Sequence, residues 1–401
     1  MKLTKMFRVS ATVLGCLLVL ISCRQGEDAA SSPLAPVDVK VVNHLVAVLG
    51  HESRVLELVD PASGEKVKSI RLAQPPNGMA VDGATVYVAE GGARGVVEVV
   101  DLESGELKRS FPAGHTPMSP VLREGKLYVA CRFDSRVLEM DAAAGTVLNS
   151  WNVPREPVVL AVSPDGRKIW AAGHLPAGAA DGDFTAAALT LVEDGKAVHF
   201  PLSNGTQGVR GMAISPDGRY LAVAHVLSRY QAPTTQLDRG WMNTNAVTVI
   251  NTDEPDKPHP VLLDDPDAGA ANPWGVSFSG DGGKLFVTHA GTHELSVIDF
   301  PALLERMKRE DRSNEPVSER LGFLHGLRAR IALPLNGPRS VASDGKNVYV
   351  AGYFSDSLAE ISLKDARKSR AIPLNAPFRP SREKLGERYF NDASHCFQGW
   401  Q

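Results

Sequence analysis

Short apolar runs rich in β-branched and aromatic residues recur along the chain at nearly constant intervals. They read Leu45-Val46-Ala47-Val48, Val86-Tyr87-Val88-Ala89, Leu127-Tyr128-Val129-Ala130, Ile169-Trp170-Ala171-Ala172, Leu221-Ala222-Val223-Ala224, Leu285-Phe286-Val287-Thr288 and Val348-Tyr349-Val350-Ala351. Their starts lie 41, 41, 42, 52, 64 and 63 residues apart. A base period near 41 matches a four-stranded propeller blade, and the three longer intervals contain insertions. Six copies are followed by a second alternating strand, such as Val55-Leu56-Glu57-Leu58 or Val247-Thr248-Val249-Ile250. Turns of the type Asp60-Pro61-Ala62-Ser63-Gly64 then lead into a more polar strand. The remaining strand of each unit carries small residues and ends in a hairpin signal, as in Gly211-Met212-Ala213-Ile214-Ser215-Pro216-Asp217-Gly218. The pattern predicts an all-β fold: a seven-bladed β-propeller of four-stranded antiparallel blades, closed so that few sheet edges are left open. The first copy lacks a preceding Ser-Pro-Asp-Gly element. Residues 37–42 are therefore expected to supply its missing strand and to close the ring against the last blade.

These elements resemble the YVTN-type bacterial β-propeller repeat, over about residues 38–375. That resemblance implies the fold and an exported protein. It implies little about activity, because propellers host binding, scaffolding and catalysis alike.

Composition changes the picture modestly. With 43 Lys+Arg against 46 Asp+Glu the net charge is −3, which argues against nucleic acid as a partner. The 36 Gly and 27 Pro are accounted for by blade hairpins. The first residues are an address rather than a fold: Lys2, Lys5 and Arg8 precede an apolar run from Ala11 to Ile21, too short for a comfortable membrane span. The run ends in Leu20-Ile21-Ser22-Cys23, which resembles the bacterial lipobox. The resemblance implies a lipoprotein signal peptide over 1–22 and acylation of Cys23, followed by a tether over 23–36, the propeller over 37–377, and a separate stub over 378–401. Such an anchor holds a chain to a membrane without a spanning helix. The implied location is the bacterial cell envelope, periplasmic or outer-membrane.

Loops alternate between the two faces of a blade, so the insertions 175–187, 226–246 and 264–272 fall on one face. Long aperiodic loops are commonly functional. The insertion 303–328 in blade 6 falls on the other face; its Leu303/Met307 and Val317/Leu321/Leu324/Arg328 spacing predicts two short helices in a solvated appendage. On the first face, consecutive blades place His174, His225 and His289 just after the second strand, with His51, Glu90 and Cys131 in neighbouring copies. Imidazoles from different blades that converge at a channel mouth could hold a metal. The propeller of nitrous oxide reductase is similar in architecture and carries copper on histidines there, although its His-rich motifs are not present here. The competing expectation is polar side chains bonded locally.

A second ring, at the start of the innermost strands, contains Asn77, Met118, Val158, Arg210, Trp274 and Arg339. Arginine forks carboxylates and tryptophan anchors interfaces, so Asn77, Arg210, Trp274 and Arg339 are candidates for a docking or ligand face. On that reading, alanine at Arg210 and Arg339 weakens binding with little loss of stability. No Gly-x-Ser-x-Gly, Walker loop or His-Glu-x-x-His is present, and no catalytic residue is assigned. Acid pairs such as Asp181/Asp183 and Asp264/Asp265 read as solvated loop residues.

The carboxyl end, Gly386-Glu387-Arg388-Tyr389-Phe390-Asn391-Asp392 and Cys396-Phe397-Gln398-Gly399-Trp400, resembles the entry to the c-type cytochrome domain in propeller fusions related to di-haem cytochrome c peroxidases. The sequence has no Cys-x-x-Cys-His, so haem c enters only if a further domain or a partner supplies it. Cys131 and Cys396 could pair in an oxidising compartment. The functional expectation is a lipid-anchored binding or docking module for a cytochrome-type or peroxidase partner. The alternative is a metal- or haem-dependent periplasmic oxidoreductase whose site is the His-bearing face.

Overall fold

The computed structural model describes residues 32–231, 242–310, 317–365, 367–377 and 379–400. Cys23 and the rest of the expected signal lie outside the described residues. Seven four-stranded antiparallel sheets form the blades of one propeller, each made from a single contiguous stretch of chain with its strands in sequence order. The innermost strands are Pro36–Val42, Pro76–Asp82, Pro117–Arg123, Pro157–Val162, Thr206–Ile214, Pro273–Phe278 and Pro338–Ser343.

The repeat motifs are legible as local chemistry. In three blades the Ser-x-Asp-Gly hairpin is closed by its own side chains: Ser163 Oγ donates to Asp165 at 2.5 Å, Ser215 to Asp217 at 2.6 Å and Ser279 to Asp281 at 2.5 Å. The next glycine takes a positive φ, near 70° at Gly166, Gly218 and Gly282. On the outer hairpins Asp60, Asp101 and Asp141 each accept backbone N–H groups two residues on.

The core is divided among the seven blade-to-blade interfaces, each with its own apolar cluster. As the sequence implies, Pro36–Val42 supplies the innermost strand of blade 1. Among the described residues the ring closes without strand exchange between the ends of the chain. Val39, Val46 and Val48 pack on Tyr349, Ala351 and Leu358 of blade 7. Asp356 of blade 7 accepts the backbone N–H groups of Leu34 at 2.8 Å and Ala35 at 2.9 Å.

Two expectations need correction. In the blade 6 insertion the first helix forms, over Phe300–Glu310, but the second is only a 3₁₀ turn at Val317–Glu319 followed by turns. Gly326, at φ 75°, is incompatible with a continued helix. Nor is the insertion a solvated appendage: Phe300, Leu303, Phe323 and Leu324 are buried in the cluster between blades 5 and 6. The other described α-helix, Arg382–Phe390, belongs to the carboxyl segment. It starts at the Ser381 cap, whose side chain accepts from Lys384 N at 3.2 Å.

That segment folds back on the propeller. Lys384 pairs with Glu52 of blade 1 and with Glu387 at 2.8 Å. Ala393 N donates to Gly291 O at 2.9 Å, Gly269 N donates to Gln398 O at 2.8 Å, and Asp392 meets His293 at 3.1 Å. The segment therefore lies on the same face as the three long loops, reaching from blade 1 to blade 6. Among the described residues no helix is long and apolar enough to cross a membrane.

Candidate functional site: the channel mouth on the loop-bearing face

Each innermost strand departs from regular register near its start, for example between Pro76 and Gly78, Pro157 and Val159, Gln207 and Gly211, Pro273 and Val276, and Pro338 and Val341. A bulge re-aims the side chain it carries. Asn77, Val158, Arg210, Trp274 and Arg339 all sit in these irregular steps. The glycine after three of them lets the next blade come close. A Cβ at Gly211 would collide with the carbonyl oxygen of Trp274, and one at Gly275 with that of Arg339. The sequence pairs Arg210-Gly211 and Trp274-Gly275 thus carry a structural logic: one residue lines the channel and its neighbour admits the following blade. All seven innermost strands line the central cavity, of about 370 Å³.

Three of the four candidate residues of this ring come together. The guanidinium carbon of Arg210 lies 4.3 Å from the Trp274 ring centroid and that of Arg339 lies 3.4 Å from it. Arg339 is also 4.6 Å from the Tyr353 ring. Burial pushes the Arg339 guanidinium down to about 9, with Arg210 adding to the effect against an opposing contribution from Tyr353. Protein packed around its guanidinium, and then Arg132, push Arg210 down to about 10, although the residue as a whole keeps solvent access. Both remain cationic at neutral pH. Asn77 does not join them: its Nδ2 donates to Gly91 O at 2.9 Å and Pro117 O at 3.1 Å, tying blade 2 to blade 3.

The expectation that Arg339 can be removed with little loss of stability is not supported by this geometry. Arg339 is only 7% exposed and is stacked among aromatic rings, whereas Arg210 is open to solvent. Sequence spacing could not reveal this, because Tyr353 approaches from a loop and the carboxyl helix covers it, with Lys384 Nζ 4.6 Å from its ring.

The structure does not gather His174, His225 and His289. His174 Nδ1 bonds Val209 O at 2.9 Å, linking blade 4 to blade 5. His51 Nδ1 links blade 1 to Pro76 O of blade 2 in the same way, at 2.8 Å. His225 and His289 are fully buried. His225 uses Nδ1 on Val226 O at 3.1 Å and Nε2 on Thr248 Oγ1 at 2.6 Å, and His289 uses Nδ1 on Ala270 O at 3.1 Å and Nε2 on Ser296 Oγ at 2.7 Å. Carbonyl acceptors make Nδ1 the donor in each, so Nε2 accepts from the hydroxyl. Burial pushes His174 and His225 down to about 4 and His289 well below its ordinary value. Both nitrogens of His225 and His289 are engaged locally, and among the described residues no three His, Cys, Asp or Glu side chains form a metal-holding group. The residues present do not fit a shared metal. Cys131, buried with its Sγ 3.0 Å from Ala113 O, and the exposed Cys396 are both free thiols.

Two features escaped the sequence reading. Asp264 is fully buried, accepting Asn245 N at 2.7 Å, Asn245 Nδ2 at 2.9 Å and Ala270 N at 2.7 Å; burial raises its carboxyl to about 6. It pins the loop entering blade 6 and is no solvated residue. The insertions of blades 4 and 5 also form one structure: Tyr230 Oη donates to Asp183 O at 2.8 Å and lies 2.9 Å from Asn204 Oδ1. Around that joint Phe184, Tyr230 and Met242 are exposed at 55%, 42% and 44%.

No family model matches the chain. Over 213 residues, 51% of this chain, it is 28% identical to hydrazine synthase subunit beta of Kuenenia stuttgartiensis, and the match spans 53% of that protein. In three dimensions it resembles a chain of Kuenenia stuttgartiensis hydrazine synthase at TM-score 0.72 and 22% identity, over 84% of this chain and 98% of that one. A chain of the mitotic checkpoint complex aligns at TM-score 0.57 and 16% identity, over 80% and 86% of the two chains. At these identities the structural likenesses bear on the fold, and the fold is a seven-bladed propeller of four-stranded antiparallel blades.

Proposed function

We propose that this chain is a non-catalytic propeller subunit of an envelope-located redox complex, docking a haem-bearing partner through its loop-bearing face. One observation carries the reading. The insertions of blades 4 and 5 are knitted into one platform by Tyr230, Asp183 and Asn204, and that platform displays Phe184, Tyr230 and Met242 to solvent. Clustered exposed aromatic and methionine side chains are characteristic of interaction surfaces. The likeness to a protein named as one subunit of hydrazine synthase supports a role inside an assembly. The carboxyl segment, with Phe390 at 87% and Phe397 at 76% exposure on the same face, extends the surface. The lipobox-like Leu20-Ile21-Ser22-Cys23 supports attachment of Cys23 to the membrane by acyl chains.

Affinity purification of the tagged full chain from its native envelope tests the docking role. A haem-containing polypeptide, seen by Soret absorbance, should co-purify with the wild type. It should be lost with Phe184→Glu but kept with Val198→Glu, a change at a 49% exposed site on an outermost strand. Retention in Phe184→Glu refutes the assignment of this face. Incorporation of labelled palmitate that survives Cys23→Ser refutes the anchor.

A further inference from the structure

Two cations share one indole at the channel mouth, and neither has an anion. Arg210 and Arg339 stack on Trp274 at 4.3 Å and 3.4 Å, so their guanidinium carbons lie no farther apart than the sum of those distances. Among the described residues neither guanidinium makes an ion pair or hydrogen bond, whereas the cations around them are neutralised: Arg132 by Glu156 at 2.8 Å and Lys384 by Glu387 at 2.8 Å. Arg339 is 93% buried, as its 7% exposure implies, and its Nε and Nη1 are orphaned. Buried polar groups of native proteins are nearly always partnered, and an orphan calls for an explanation. A buried guanidinium stacked on aromatic faces beside a second guanidinium, with Glu387 acting on it only through space, is costly unless further charge compensation arrives from outside. Stacking on rings occupies the face of a guanidinium and leaves its edge, where the N–H groups lie, free to fork an oxyanion.

We propose that the Arg210–Trp274–Arg339 stack is a binding site for a small organic carboxylate, entered through the central channel. The size of the occupant follows from access. The carboxyl helix, through Lys384 and Tyr353, covers the outer side of the stack, so the open approach is the cavity of about 370 Å³ lined by all seven blades, which Arg210 and Trp274 line while Arg339 sits behind the indole. That space takes a molecule of a few heavy atoms rather than a protein loop. Its walls are mixed: Met118, Val158, Met212 and Val276 give an apolar stretch beside the stack, and Asp38, Lys40, Asn77 and Ser340 are polar. A carboxylate on a short carbon chain matches both parts. Hydrated inorganic anions match only the cationic end.

The inference concerns the same face as the docking reading but does not depend on the partner. Isothermal titration of the purified full chain with succinate and acetate, against chloride and sulfate at matched ionic strength, tests it. Saturable carboxylate binding is expected. Arg210→Gln, a change at an exposed position, should weaken it by about tenfold or more without lowering the melting temperature of the unliganded protein. Arg339→Lys serves as the second variant and should weaken binding while keeping the charge. No saturable carboxylate binding, equal binding of sulfate, or unchanged affinity in Arg210→Gln each overturns the proposal. Loss of partner capture in Phe184→Glu with succinate binding intact leaves this site standing, and the reverse result leaves the docking surface standing.

Discussion

Asp356→Asn and Asp356→Ala probe how the ring is closed. Among the described residues no strand from one end of the chain completes a sheet at the other, so the joint between blades 7 and 1 depends on the Val39/Tyr349 packing and on polar contacts: Ser340 Oγ to Asp38 at 2.7 Å, Arg370 to the Pro61 carbonyl, and the buried Asp356 carboxylate. Asp356 is 5% exposed; its Oδ2 accepts Leu34 N at 2.8 Å and Asn375 Nδ2 at 3.0 Å, and its Oδ1 accepts Ala35 N at 2.9 Å. Asparagine keeps the shape and tolerates the φ of 45° found there. It loses the charge and turns one acceptor into a donor facing a buried N–H, at a cost of about 2 kcal/mol. Alanine removes all three bonds and strains the backbone, so about 4 kcal/mol or more is expected. Urea unfolding midpoints, read by tryptophan fluorescence and by circular dichroism, give the comparison. Asp253→Ala is the control: it deletes an exposed ion pair with Lys168 at 2.8 Å and should cost less than about 1 kcal/mol. If both Asp356 variants unfold within about 0.5 kcal/mol of wild type, the Asp356 carboxylate does not hold the ring closed and the argument fails.

Two further outcomes follow from other blades. Glu90 is fully buried, and its carboxyl is pushed up to about 8 by that burial, with Glu98 contributing against an opposing bond from Gln74 N. The folded state therefore holds a proton that the unfolded chain releases near 4.5, and stability falls as pH rises between those values. Glu90→Gln should flatten that slope and be the more stable form at pH 9, as read by melting temperature against pH; a parallel pair of curves would refute the protonated pair. Gly211→Ala should cost about 1–3 kcal/mol, because its Cβ meets the Trp274 carbonyl rather than a movable side chain. It should also shift Trp274 emission and weaken succinate binding, and normal stability would show that blades 5 and 6 can separate freely.

The architecture was legible in the sequence because each blade repeats its own local chemistry. Period, Ser-x-Asp-Gly hairpins and Asp-led outer turns are decided within a few residues. What was not legible depends on contacts distant in sequence. Arg339 is buried because Trp274 of blade 6 and Tyr353 under the carboxyl helix enclose it, and Asp264 is buried because Asn245 reaches it across the sheet. The carboxyl residues, which sequence alone sets apart as a stub, cover the propeller face through backbone bonds to Gly269 and Gly291.

The histidines show where the sequence held more than was read from it. His289 and Glu90 end the second strands of their blades and His225 holds the matching position in a longer one that runs to Ser228; Thr248, Ser296 and Glu98 each lie two residues beyond the one paired with it on the third strand. Seen on one strand only, the position leaves the imidazoles without an evident partner. Taken with its cross-strand neighbour, each one has a partner inside its own blade. In blades 5 and 6 imidazole meets hydroxyl, a neutral donor–acceptor match needing nothing from solution. In blade 2 carboxyl meets carboxyl, which is tolerable in a buried site only when a proton is shared. One geometric slot in the repeat is thus filled by two chemistries of opposite pH response: the buried imidazoles make the ring more stable as pH rises from about 4 towards 6.5, and the carboxyl pair makes it less stable as pH rises from 4.5 towards about 8.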